Sequence, residues 1–148
     1  MTALLDQKKK PARKRREKTA RVFRGKRKES KARAVILKGT GRVLYNGAEL
    51  STVTDQTVRM LILEPLDYYP ARDTIDIKVS ANGGGTMSQA QAARTAIAKA
   101  IAAYSGDDAT RRTMIAADRS LVVEDPRRVE PKKFKGPKAR ARFTKSYR

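Results

Sequence analysis

Nearly all the excess charge of this chain sits at its two ends, and that confines any packed core to the middle. Residues 1–33 carry 15 basic and 3 acidic side chains, residues 126–148 carry 10 and 1, and residues 34–125 carry 10 and 11. The 148 residues have a formal net charge of +20, so a near-neutral body lies between two strongly basic arms. The length suits one domain with one modest core. This distribution fits a nucleic-acid binder better than one spread evenly over the chain would.

The arms have no means of burying themselves. In the C-terminal one, Pro126, Pro131 and Pro137 each fix φ and remove a donor, and no apolar run could form a strand face. Such a segment cannot offset its ordering entropy alone in water, but a polyanion can order it. The N-terminal arm holds Lys8-Lys9-Lys10, Arg13 to Arg16 and Gly25-Lys26-Arg27-Lys28. A solvated tail or a nuclear-localisation patch would share this composition. Its repetition at the other terminus favours a nucleic-acid-binding arm. The expected organisation is a basic extension over residues 1–31, a globular domain over 32–124 and an extended basic tail over 125–148.

The chain lacks cysteine and histidine, which removes thiol chemistry, the ordinary proton shuttle and the commonest metal ligand. No apolar stretch approaches the roughly 18 residues of a membrane span. The first residues are too basic for a secretory signal, so the expected compartment is the cytoplasm.

Within the body, Ala34-Val35-Ile36-Leu37 reads as a strand, Lys38-Gly39-Thr40-Gly41 as a turn and Arg42-Val43-Leu44-Tyr45 as the returning strand of a hairpin. Asn46-Gly47 is a strong turn dipeptide. Thr54-Asp55 reads as an N-cap, with Val58, Leu61 and Ile62 at helical spacing up to Glu64-Pro65, although a buried strand over residues 59–63 would show much the same run. Residues 74–80 alternate: Ile75, Ile77 and Val79 face a core, while Thr74, Asp76, Lys78 and Ser80 face out. Asn82-Gly83-Gly84-Gly85 ends that strand and opens a helix, with a capping box at Ser88 and Gln91 or at Thr86 and Gln89. Ala93, Ile97, Ala100, Ile101 and Tyr104 make its apolar stripe, and Gly106 ends it. Asp107-Asp108 starts a second short helix through Met114 and Ile115, and Leu121-Val122-Val123 reads as a last strand. The class is α+β, a small sheet with helices packed on one face.

Strand, glycines and helix in succession also build phosphate loops. Here the glycines are contiguous and no Gly-Lys-Ser/Thr follows, so a mononucleotide site is not expected. A sharp turn and a backbone contact to a nucleic-acid phosphate both remain open. The acids form no convergent cluster, so no catalytic constellation can be drawn, and neither metal nor cofactor is expected. An RNA-acting carboxylate–metal enzyme and a free RNA- or DNA-binding module are the rival classes. In an extended tail, Lys138, Arg140 and Arg142 would fall on one side at a repeat of about 6.6–6.8 Å, suited to an RNA backbone. Phe134, Phe143 and Tyr147 would be free to stack on bases.

Gly83-Gly84-Gly85, Gln89 and the small residues leading to Ala98-Lys99-Ala100 resemble the signature of the small-ribosomal-subunit protein S-nine family. The tail from Asp125-Pro126-Arg127-Arg128 through Gly136-Pro137 to Lys145-Ser146-Tyr147-Arg148 is similar to its archaeal and eukaryotic branch. Gly25-Lys26-Arg27-Lys28, Gly41-Arg42-Val43 and Asn46-Gly47 match its N-terminal part, so the resemblance covers residues 25–148. Glu29, Lys31 and Lys135 depart from the residues usual at those positions. The resemblance implies a two-layer domain with a mixed sheet and a left-handed βαβ crossover. It further implies a non-catalytic place in the head of the small subunit, on the 3′ major domain of the rRNA beside neighbouring head proteins, with the tail reaching peptidyl-site tRNA. The expected rRNA contacts are Lys26, Arg27, Lys28, Arg33, Gly83, Gly84, Gly85, Arg127, Arg128, Lys132, Lys133, Phe134, Lys135, Lys138, Arg140, Arg142 and Phe143. The expected tRNA contacts are Lys145, Ser146, Tyr147 and Arg148.

Overall fold

Period-two alternation runs through most of the sheet. The computed structural model describes residues 21–144, so the basic clusters at Lys8 to Lys10 and Arg13 to Arg16 lie outside the described residues. Five strands, β1 (Val22–Arg27), β2 (Ser30–Lys38), β3 (Val43–Tyr45), β4 (Ala48–Glu49) and β5 (Ile75–Asn82), form one sheet in the order β1-β2-β5-β3-β4. All neighbours are antiparallel except β3 and β5, which run parallel and flank helix α1 (Gln56–Asp67) in the chain. Ile75, Ile77, Val79 and Ala81 of β5 are buried, as are Ser30, Ala32 and Ala34 of β2, while Lys31, Arg33, Lys78, Ser80 and Asn82 are exposed. One face is therefore covered and the other is open.

Helix α2 (Thr86–Ser105) lies on the covered face against β1, β2 and β5, and α1 packs against α2. Ala90, Ala92, Ala93, Ala96, Ile97, Ala100 and Ile101 are buried in a single core with Val58, Ile62 and Leu66 of α1. The short side chains bring the α2 backbone down onto β1. A Cβ added at Gly25 would run into the carbonyl oxygen of Ala92 and lie 2.6 Å from the amide nitrogen of Ala96, so glycine is required there by space. Helix α3 (Asp108–Ala117) follows Gly106 and contributes Met114 to the core.

Four expectations need correction. Among the described residues regular structure is already present at Val22, ahead of Ala32, because Phe23 and Gly25 face α2 and make residues 22–27 an edge strand. Strands 34–37 and 42–45 are not hairpin partners, since β5 lies between them. The Asp76 carboxylate accepts from the Thr40 N–H (2.8 Å) and the Arg42 N–H (3.0 Å), which holds the intervening loop around the start of β5. Residues 121–123 form no strand: a 3-10 turn over Arg119–Leu121 is capped by Asp118, whose carboxylate accepts from the Ser120 N–H at 2.7 Å, and Leu121 is buried. Neither capping box forms, because Gly85 is the N-cap of α2 and uses no side chain.

Residues 55–63, open to either reading, belong to a helix. Asp55 accepts from the Thr57 N–H (2.9 Å), and the helix runs through Pro65 to Asp67. On the covered side Arg94 of α2 pairs with Glu64 of α1 and with Asp118 (2.8 Å), and it also donates to the Ser120 hydroxyl (2.9 Å). Thr95 is buried and donates to the Gln91 carbonyl at 3.1 Å, whereas Tyr104 at the end of the expected stripe is exposed.

Gly25→Ala overpacks the α2–β1 contact and costs about 1–3 kcal/mol in urea unfolding. Gly85→Ala, at extended φ with no atom within 4 Å of the added Cβ, stays within about 0.5 kcal/mol of wild type. The Ser120 hydroxyl and amide, with Arg94, hold the Asp118 carboxyl below the ordinary carboxylate range, and the Thr40 and Arg42 amides do the same for Asp76. Their contribution to stability is present above about pH 4 and is lost as pH falls through the lowered values. Thermal melts of Asp118→Asn and Asp76→Asn therefore fall less steeply below about pH 4 than those of the wild type.

Candidate nucleic-acid interface

The glycine run and the hairpin between β1 and β2 form one unit. Gly83 and Gly84 have φ of 78° and 62°, which side chains rarely adopt. A Cβ on Gly83 would lie 2.7 Å from the Glu29 carbonyl oxygen, and one on Gly84 would meet the Ser30 hydroxyl. That hydroxyl donates to the Gly83 carbonyl at 2.8 Å, and the Gln89 amide donates to the same oxygen at 3.1 Å. The conformation of Gly83 and Gly84 is thus accounted for by a tight turn packed under the hairpin. Lys28, at φ 52°, occupies the hairpin tip beside it. Lys26 and Arg33 sit nearby on β1 and β2.

Arg27 has a different setting. It points to the covered side and pairs with Asp125, whose carboxylate also accepts from the Arg127 side chain at 2.7–2.8 Å and the Arg127 N–H at 2.8 Å. Beside it, Lys99 of α2 pairs with Glu124 at 2.6 Å and donates to the Arg24 carbonyl at 3.2 Å. Together these bonds fix the root of the tail to β1 and α2, above a cleft of about 220 Å³ lined by Gln91, Arg94, Thr95 and Ser120. Two of the expected RNA contacts, Arg27 and Arg127, are therefore engaged by Asp125 in this state.

Beyond the root the side chains are exposed: Arg128, Lys132, Lys133, Phe134, Lys135, Lys138, Arg140, Arg142 and Phe143 all face solvent. The extended arrangement of Lys138, Arg140 and Arg142 is not adopted, because residues 134–140 turn. Gly136 is buried in that turn, where a Cβ would lie 2.5 Å from the Ala141 carbonyl oxygen. Glu130 closes it through Arg140 (2.9 Å) and Lys133 (3.5 Å), and the Lys135 ammonium stands 5.8 Å from the centre of the Phe134 ring. Lys145, Ser146, Tyr147 and Arg148 lie outside the described residues.

The geometry adds three cations that sequence reasoning passed over, Arg24, Lys31 and Lys78, which share the open face with Lys26 and Arg33. The signal was available, since basic residues at 24, 26, 31 and 33 alternate with Phe23, Gly25, Ala32 and Ala34. What the described residues can do chemically is bind anions at several points around one edge of the sheet. The family profile described as ribosomal protein S9/S16 matches residues 25–148. "Small ribosomal subunit protein uS9" of Picrophilus torridus is 46% identical over 125 residues, covering 84% of this chain and 94% of that protein. The proteins of the same name from Desulfurococcus amylolyticus and Methanothrix thermoacetophila are 43% and 42% identical, covering 86% and 84% of this chain and 91% and 95% of their own lengths. With the match spanning hairpin, glycine turn and tail together, the chain belongs to the ribosomal protein S9/S16 family.

Proposed function

We propose that the chain is a structural, non-catalytic constituent of the small ribosomal subunit, acting on cytoplasmic ribosomes. Its arms bind the 3′ major domain of the rRNA in the subunit head, beside neighbouring head proteins, and its last four residues contact peptidyl-site tRNA. The β3–α1–β5 crossover of the body is left-handed in this reading. The observation that carries it is the tail: its root is clamped by Asp125 and Lys99, and the exposed cations beyond it have only one acid, Glu130, among them. A fixed root with a polycationic end is an anchor-and-probe arrangement. Phosphate contacts position tRNA without reading its sequence, and Arg148 would supply a guanidinium to its backbone.

Sucrose-gradient sedimentation of a tagged full-length chain and of one lacking residues 145–148 tests this. Both co-sediment with the small subunit, and only the truncated form weakens peptidyl-site tRNA binding. A full-length protein that stays at the top of the gradient at low salt overturns the ribosomal assignment, and equal tRNA binding by both forms overturns the tail contact. Affinity for rRNA falls steeply with salt, by a log–log slope of about 0.9 per neutralised phosphate.

A further inference from the structure

The sheet's two faces treat their cations differently. On the covered side each of Arg27, Arg94 and Lys99 has a carboxylate partner. On the open face Arg24 stands opposite Arg33 and Lys26 opposite Lys31 across the β1–β2 ladder. Like charges directly opposite one another repel. Arg33 is next to Ser80, Lys31 next to Asn82, and Lys78 lies one step further along β5. None of these five cations forms an ion pair among the described residues. The acids nearest the face do not neutralise it. Asp76, at its far end, is held by the Thr40 and Arg42 amides, Glu49 stands opposite Leu44 on β4, and Glu29 is at the hairpin tip.

We infer that this open face is a second docking surface for the sugar–phosphate backbone of RNA, with Arg24, Lys31, Arg33 and Lys78 as its phosphate contacts and Lys26 beside them. The inference rests on the rRNA-binding reading above and assigns it a surface apart from the arms. Strands about 4.8 Å apart with same-face residues about 6.7 Å apart set these cations in a rigid grid. Rows of closely spaced like charge are tolerable where a polyanion with regularly spaced charges lies across them, and the grid offers phosphate contacts without base selection. Ser80 and Asn82 add hydroxyl and amide groups suited to the same backbone.

The test uses the full chain and small-subunit rRNA. A variant with Arg24→Gln, Lys31→Gln, Arg33→Gln and Lys78→Gln binds at least tenfold more weakly at about 0.1 M salt, with a log–log salt slope shallower by about three. Its Tm stays level or rises, because the substitutions remove repulsion and no ion pair. A tail variant, Lys138→Gln with Arg142→Gln, runs alongside. Unchanged affinity and slope in the sheet variant, with loss in the tail variant, overturns the docking surface and leaves the RNA reading standing. Absence of rRNA binding by the wild type overturns both. The chain has no cysteine, so Ser80→Cys offers a single site for a photocrosslinker. In assembled small subunits it crosslinks to rRNA, whereas crosslinking only to a protein neighbour overturns the inference.

Discussion

Everything in the body depends on how closely α2 approaches the sheet. Alanine at 92 and 96 and glycine at 25 leave nothing larger than a methyl between the helix backbone and β1, and Ala32 and Ala34 of β2 continue the small-residue surface. A helix seated this low fixes β1 as part of the sheet although its sequence is mostly charged. It also places Lys99 and Arg94 within reach of Glu124 and Asp118, which fixes the segment leading to the tail. The burial of a few short side chains thus decides where the polycationic tail begins.

The same packing separates the cations by role. Arg27, Arg94 and Lys99, on the helix side, are held near groups from which water is partly excluded, and each of these three has acquired an acid. A lone charge there would carry a desolvation cost with nothing to offset it. Those on the open face keep their hydration and need no partner for folding. Their repulsion is a cost that solvent and salt reduce to a small value. A fold can therefore carry a block of like charge on one side of a five-stranded sheet and still be stable before it meets its partner.

Sequence patterning revealed the parts whose periodicity is local. The alternation of Ile75, Ile77 and Val79, the alanine-rich helix, its end at Gly106 and the cap at Asp55 all follow from short-range rules. The pairing of strands does not. Nothing local says that β5 inserts between β2 and β3, because that order rests on ladders and contacts between distant segments, the Asp76 carboxylate holding a loop 34 to 36 residues away among them. Leu121-Val122-Val123 has strand composition, yet no sheet edge is offered to it, and burial of Leu121 through a capped turn prevails. β1 was hidden for another reason: its outward residues are basic, so the inward pair of Phe23 and Gly25 was lost in what looked like an arm. For the proposed interface, the tail residues were named from the family resemblance alone, while the shared face of Arg24, Lys31 and Lys78 became visible only once the register was known.

Register also explains why the tail and the sheet face can act as separate contacts. The Asp125 clamp lies on the helix side of β1, and the grid of Arg24, Lys26, Lys31 and Arg33 lies on the other side of the same strands. A single-residue slip of β1 would exchange those faces, placing Arg27 in solvent and Lys26 against α2. The hairpin turn at Lys28, held over Gly83 and Gly84, prevents that slip. The 23 residues after the clamp span at most about 80 Å when extended, enough to leave the body's own footprint. The turn closed by Glu130 and Arg140 shortens that reach in the isolated chain. Under the proposed function, RNA phosphates competing for Arg140 would release that turn and let the tail lengthen.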